Sequence, residues 1–297
     1  MPRQLDVVLT ASAPVIWGST YIVTSQLLPP GYPLTAAMLR ALPAGLILLL
    51  VVRQLPERRW LGRVFLLGAL NFTLFWAALF VAAYRLPGGV AAVLGAVQPL
   101  IVLLLARGWL GTPLSRGALG AAVLGLVGVA LLVLQPHAKL DPLGVGAALI
   151  GAGSMAAGVV LTRRWQPPVP ALTFTAWQLT AGGLLLAPLA FALEPALPPL
   201  SVRNIAGFLW LGLFGAAISY FFWFRGIARL GPAAVTSFGF LSPLSAVVLG
   251  WLVLGERLGR VQTLGALIVL GSVWLAGRIN RGQTRIAPPT TPETRAL

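Results

Sequence analysis

The stretch LGAVQPLIVLLLARGWLG, Leu94 to Gly111, is almost wholly apolar, yet it carries Gln98 and Pro99 in its first third. A second stretch, FGFLSPLSAVVLGWLVLG, Phe238 to Gly255, repeats the arrangement with Ser242 and Pro243. Displaced by 144 residues, Gly95 falls on Gly239, Pro99 on Pro243, Leu100 on Leu244 and Leu110–Gly111 on Leu254–Gly255. Upstream, Arg85–Leu86 falls on Arg229–Leu230 at the same offset, and Gly18 on Gly158 and Thr35–Ala36 on Thr175–Ala176 at an offset of 140. The chain reads as two copies of one unit. The expected division is 1–138, 139–279 and a polar, basic tail, 280–297, expected to be disordered.

Composition decides the class. Hydrophobic residues make up 58% of the chain and charged residues 9%, with a mean hydropathy of +0.90. Soluble domains carry about 25% charged residues. Backbone polar groups in hydrocarbon must be satisfied within the segment, so long apolar runs are helices. The expected fold is an all-α polytopic membrane protein with ten transmembrane helices, at 7–28, 33–53, 62–84, 88–109, 116–134, 143–162, 170–193, 203–225, 232–254 and 260–279. Arg3 followed by an apolar run resembles a leader peptide, but the run passes 20 residues and reads as a retained first helix.

The net charge of +15 is an orientation signal rather than a nucleic-acid footprint. With both termini inside, the inner segments hold Arg3, Arg53, Arg58, Arg59, Arg63, Arg107, Arg116, Arg163, Arg164, Arg225, Arg229 and the four arginines from Arg278 to Arg295. The outer segments hold Arg85, Lys139, Arg203, Arg257 and Arg260. That three-to-one bias predicts an N-in/C-in topology. Five helices per copy is an odd number, so the second copy enters the bilayer upside down. Two inverted five-helix repeats are the architecture of alternating-access transporters, with a site near mid-depth.

The opening question then has an answer. A Pro inside a span removes a backbone hydrogen bond and bends the helix. Pro99 and Pro243 are expected to be hinges in a bent helix pair, with Gln98 and Ser242 placing polar groups at the same depth. Trp and Tyr ordinarily collect at the membrane interfaces, but here several lie deep. The candidate substrate-binding residues are Trp17, Tyr21, Asn71, Phe75, Trp76, Gln98, Gln178, Tyr220 and Ser242. An amide in hydrocarbon must be paired, so Asn71, Gln98 and Gln178 point inward, serving either helix–helix hydrogen bonding or the substrate. Aromatic walls with a few amides suit a flat, partly apolar solute.

Further motifs carry a family resemblance. The first helix contains IWGSTY, Ile16 to Tyr21, and the second contains AAMLRALPA with Arg40 in its outer part. Each half carries a Pro-bearing helix, then Leu-Gly, then a Gly-rich helix. In the second half this reads LGERLGRVQTLGALIVLG. The first half departs from the pattern, with Thr112 and Pro113 in place of the acidic residue. The chain resembles the drug/metabolite transporter superfamily, in its EamA-type ten-helix branch. The resemblance implies a multi-pass protein of a bacterial inner membrane that exports small metabolites, most similar to exporters of aromatic amino acids. Alternatives are a broad-specificity drug exporter, or an auxiliary membrane subunit such as a lipid-flippase component.

The remaining chemistry is excluded by what the sequence lacks. There is no Cys for a disulfide or thiolate metal site, no nucleotide-binding loop and no metal-spaced cluster, so no cofactor and no enzymatic activity is expected. The six acids are Asp6, Glu57, Asp141, Glu194, Glu256 and Glu293, none near mid-span. Proton coupling usually requires an intramembrane carboxylate or His, so facilitated diffusion or exchange is expected. Arg40 pairs either a substrate carboxylate or neighbouring carbonyls, the second being favoured. The expected partners are a small-molecule substrate and the lipid bilayer, with no nucleic acid. The pairs Ala121/Gly125 and Ala147/Gly151 read as intramolecular packing; they set no oligomeric state.

Overall fold

A computed structural model describes residues 2–85, 94–133, 141–255 and 259–286. Every regular element among them is helical, and no strand occurs. The first half contains α1 (Pro2–Leu27), α2 (Pro33–Val52), α3 (Arg58–Gly68), α4 (Leu74–Arg85), α5 (Gln98–Leu110) and α6 (Arg116–Val133). The second contains α7 (Pro142–Arg164), α8 (Ala171–Leu193), α9 (Val202–Gly212), α10 (Ser219–Leu230), α11 (Pro232–Phe238), α12 (Leu241–Leu254) and α13 (Arg260–Ile286). Seven helical stretches are long and apolar enough to cross a bilayer. Gln98–Leu110, Arg116–Leu131 and Arg260–Ala276 are apolar stretches shorter than these. Helix α13 continues to Ile286, past the expected span end at 279; residues 287–297 lie outside the described residues.

Local chemistry explains several boundaries. Asp141 accepts the Gly144 N–H at 2.9 Å, and Pro142 occupies the first turn of α7, where a missing N–H costs nothing. Ser201 and Asn204 form a reciprocal capping box at α9. The repeated Leu-Gly is a helix stop: Gly111 and Gly255 sit at φ 67° and 69°, the left-handed conformation that glycine adopts most readily. Each Pro-bearing segment is broken rather than smoothly bent. Turns at Ala96–Val97 and Gly239–Phe240 precede α5 and α12, which places Pro99 and Pro243 in a first helical turn.

The halves interlock. Helix α1 packs against α9, α10 and α12, whereas α7 packs against α4 and α5, so each half lends its first helix to the other. The mates α2 and α8 lie side by side, as do α6 and α13. Both pairs run antiparallel. The Leu34 and Thr35 N–H groups, at the start of α2, donate to the Glu194 carboxylate just past the end of α8, at 2.6 and 2.7 Å. Gly183 faces Leu42 and Gly45 faces Thr180 so closely that no side chain fits. Beyond the end of α2, Trp177 Nε1 donates to the Gln54 carbonyl at 2.6 Å. Likewise Gly117 meets Ile279 and Gly128 meets Ile268. Gly125 lies against Phe240 and Gly151 against Ala78, both within the chain. Large apolar side chains such as Leu50, Val51, Phe191 and Leu252 are exposed, the surface a lipid environment accepts.

Candidate functional site

Two π-helical turns organise the centre. Ala69–Thr73 joins α3 to α4, and Leu213–Ile218 joins α9 to α10, at the 144-residue offset of the repeat. A π-turn widens the helix and turns side chains and carbonyls out of the usual register, often at functional sites. In the first, Asn71 Nδ2 donates to Gln178 Oε1 at 2.8 Å and to Thr162 Oγ1 at 3.2 Å, all three side chains being buried. Thr162 Oγ1 itself donates to Gln178 Oε1 at 3.3 Å. A Cβ on Gly158 would collide with the Asn71 amide, so only glycine leaves room for this network. Ser154 donates to the Leu70 carbonyl at 2.8 Å, and Thr73 to the Gly182 carbonyl at 3.0 Å. Asn71 Oδ1 and Gln178 Nε2 have no partner among the described residues.

In the second π-turn the partner is a cation. Arg40 Nη2 donates to the Gly215 carbonyl at 2.6 Å, Nη1 reaches Thr20 Oγ1 at 3.4 Å, and the guanidinium lies 5.0 Å from the Trp76 ring centroid. Carbonyl bonding is the role favoured from sequence, and the aromatic face under the charge was not foreseen. Cation–π contacts contribute about 0.5–2 kcal/mol.

Between the two turns lies an aromatic cluster. Tyr220 is 4.8 Å from both Trp17 and Phe72 and 6.1 Å from Trp76, centroid to centroid. Trp17 is 4.9 Å from Trp223, and its Nε1 donates to Ser219 Oγ at 2.8 Å. Phe72, Trp76, Tyr220 and Trp223 are all at most 3% exposed. The centre, where the sequence pattern places a site, is therefore filled by aromatic side chains. Beside it lies a small pocket of about 30 Å³ lined by Phe75, Leu79, Ala82, Gly95, Gln98, Ala148, Gly151 and Ala152.

The expected site residues thus fall into three groups. Trp17, Trp76 and Tyr220 meet in the aromatic cluster, Asn71 and Gln178 in the amide network, and Phe75 and Gln98 in the pocket. Ser242 stands apart at the start of α12, its carbonyl close to Gly18. The Tyr21 side chain lies outside the described residues. Sequence reading overlooked Thr162, Ser154 and Ser219, which look like ordinary small helix residues, and Trp223. The repeat offset offered a signal: it places Ser219 on Phe75 and Trp223 on Leu79.

A bundle with exchanged first helices, broken Pro-bearing helices and a polar, aromatic centre is a membrane-transporter architecture. The EamA-like transporter family model matches residues 5–134 and again 142–278, and the chain belongs to that family. It is 45% identical over 263 residues to protein PecM of Dickeya dadantii, covering 88% of each chain. It is 33% identical over 268 residues to the inner membrane transporter YedA of Escherichia coli K12, covering 88% and 87%. It is 27% identical over 243 residues to a probable terminal-alkyne amino-acid exporter of Streptantibioticus cattleyicolor, covering 81% and 80%. A solved crystal structure with 19% identity superimposes with a TM-score of 0.78 over 93% of this chain and 98% of the other, a likeness of fold. The protein is a multi-pass inner-membrane transporter of the drug/metabolite type.

Proposed function

We propose that the protein exports amino acids, aromatic ones favoured, and similar small amphipathic metabolites by alternating access between two inverted five-helix halves. The observation that carries this reading is the antiparallel pairing of repeat mates, α2 with α8 and α6 with α13. Copies related by translation through the membrane plane would set their mates parallel. On this reading the three shorter apolar helices cross the bilayer with the seven long spans, and the arginine bias sets an N-in/C-in orientation. Inverted halves let one copy adopt the conformation its mate has just left.

Tilted and edge-to-face rings fill the middle of the bundle, and one amide acceptor and one amide donor beside them have no partner among the described residues. An unpaired buried polar group costs about 1–3 kcal/mol, which a polar solute removes when the bundle opens. The amino-acid exporter among the relatives agrees with this class. The four described carboxylates stand at helix ends: Asp6 in the first turns of α1, Glu57 before α3, Asp141 before α7 and Glu194 after α8. Transport is accordingly read as facilitated diffusion or exchange, without a proton-coupling carboxylate.

Liposomes holding only this protein test the reading. Uptake of labelled phenylalanine is expected with or without a pH gradient. Uptake that required the gradient would overturn the uncoupled mechanism. Competition by planar drugs at equal strength would point to a broad drug exporter, and no uptake of any amino acid would remove the substrate class.

A further inference from the structure

The two pseudo-equivalent helix interfaces, α1 on α10 and α7 on α4, differ in closure. Asp6, in the first turns of α1, is 6% exposed and held by two arginines of α10: Arg225 Nη2 at 2.7 Å and Arg229 Nη1 at 3.1 Å. One turn on, Thr10 lies on Gly226 so closely that no side chain fits there. Two turns further, Trp17 bonds Ser219. Arg163, near the end of α7, donates to the Ala228 carbonyl, drawing a third helix onto the same end of α10. The α1–α10 seam is closed from Asp6 to Trp17.

The α7–α4 seam carries the same device in a weaker form. Arg85 is the repeat mate of Arg229, and Asp141 begins the first helix of the second half as Asp6 begins that of the first. Their ion pair is 3.5 Å long, with side chains 46% and 37% exposed. Below it lies the pocket of Phe75, Leu79, Ala82, Gln98 and Gly151. At the corresponding places on the other seam stand Ser219, Trp223, Gly226, Ser242 and the start of α1, with Trp17 and Thr10 filling the space.

We infer that Asp6 with Arg225 and Arg229 forms the inner gate of the transport cycle, and that Arg85 with Asp141 forms its outer counterpart. The inner gate is shut in this structure and the outer seam loosened. A carboxylate buried between two cations is strongly held, and removing one partner leaves the others uncompensated. An exposed pair contributes about 0–1 kcal/mol and separates readily. The inference rests on the inverted, alternating-access reading, and the test below separates the two.

The chain has no cysteine, so single cysteines can be read without background labelling. Ala13→Cys, on the α1 face between Thr10 and Trp17, reports the inner seam; Ala152→Cys, in the pocket, reports the outer. Impermeant maleimide is applied from each side of oriented vesicles. Asp6→Asn is expected to raise inner labelling of Ala13→Cys at least about fivefold and to lower outer labelling of Ala152→Cys, as a shifted two-state equilibrium requires. Asp141→Asn is expected to leave both rates within about twofold, the outer pair being exposed. The double variant Asp6→Arg/Arg229→Asp should restore protection of Ala13→Cys. Where Asp6→Asn gives no monodisperse protein, Arg229→Gln, at a half-exposed position, carries the test in the same direction. Unchanged labelling in the folded variants would overturn the gate. Arg58→Cys and Val202→Cys, repeat mates at the starts of α3 and α9, must label from opposite faces. Labelling from one face would overturn the inverted reading itself, whatever the gate variants do.

Discussion

The two π-turns share a geometry and differ in chemistry. Around Ala69–Thr73 every partner is uncharged: Asn71 is tied to Thr162 and Gln178, Ser154 to the Leu70 carbonyl, and Thr73 to the Gly182 carbonyl. Around Leu213–Ile218 the Gly215 carbonyl takes a guanidinium that also rests on Trp76. Gly215 aligns with Asn71 itself at the repeat offset. Where the first copy carries its own amide, the second carries no side chain, and Arg40 of the first copy fills the role. The backbone irregularity is thus common to the copies, while the groups that satisfy it have diverged. Such divergence gives the two sides of the centre different polarity.

Substitutions at four positions break or sharpen this contrast. The largest effect is expected for Asn71→Leu, which leaves the Gln178 and Thr162 side chains without their shared donor and crowds Gly158. A loss of about 2–4 kcal/mol is expected from the stranded buried polar groups, read as a fall in Tm of the detergent-solubilised protein. Gly158→Ala should fall in the same direction, and combining it with Asn71→Ala should recover part of the loss by relieving the collision. Recovery absent from that double variant would show that Gly158 is constrained by something other than the amide. Next comes Arg40→Lys. An ammonium keeps the charge but loses the planar contact with Trp76 and one of two donor directions. A loss of about 1–2 kcal/mol is expected, and one equal to that of Arg40→Leu would mean that charge contributes nothing at this π-turn. The smallest effect is expected for Ser154→Ala, about 0.6 kcal/mol, typical of hydrogen bonds between membrane helices. Equal losses for Ser154→Ala and Asn71→Leu would erase the ranking of partners within the first π-turn.

Part of the candidate site was visible in the residue order. Asn71 and Gln178 were singled out because an amide at depth must find a partner, and they found each other. Trp17, Trp76 and Tyr220 were chosen as deep aromatics, and they do meet. Their consequence is not legible in the residue order, because a pattern of apolar and aromatic positions does not reveal whether rings surround a space or occupy it. Here Phe72 and Trp223 complete the packing, and the cluster is closed. The residue order places Asp6 away from mid-span and says nothing of its partners; the pair of arginines that buries it comes from residues more than two hundred positions away.

What the sequence alone determined is the class and an internal match at a fixed offset. Mean hydropathy, scarcity of charge and absence of Cys follow from counting, and the offset between Pro99 and Pro243 is arithmetic on residue numbers. The Leu-Gly stops were equally local, since a left-handed residue after a helix favours glycine in any surroundings. Only the tertiary structure decided that the first helices are exchanged between halves, that α3–α4 and α9–α10 each widen into a π-turn, and that one seam is shut while its counterpart holds a pocket. The physical reason is that hydrophobic patterning states only that a helix is buried in lipid or protein. Which helices touch, and how closely, depends on small residues, stray hydroxyls and charges meeting across the bundle, and those meetings exist only once the chain is folded.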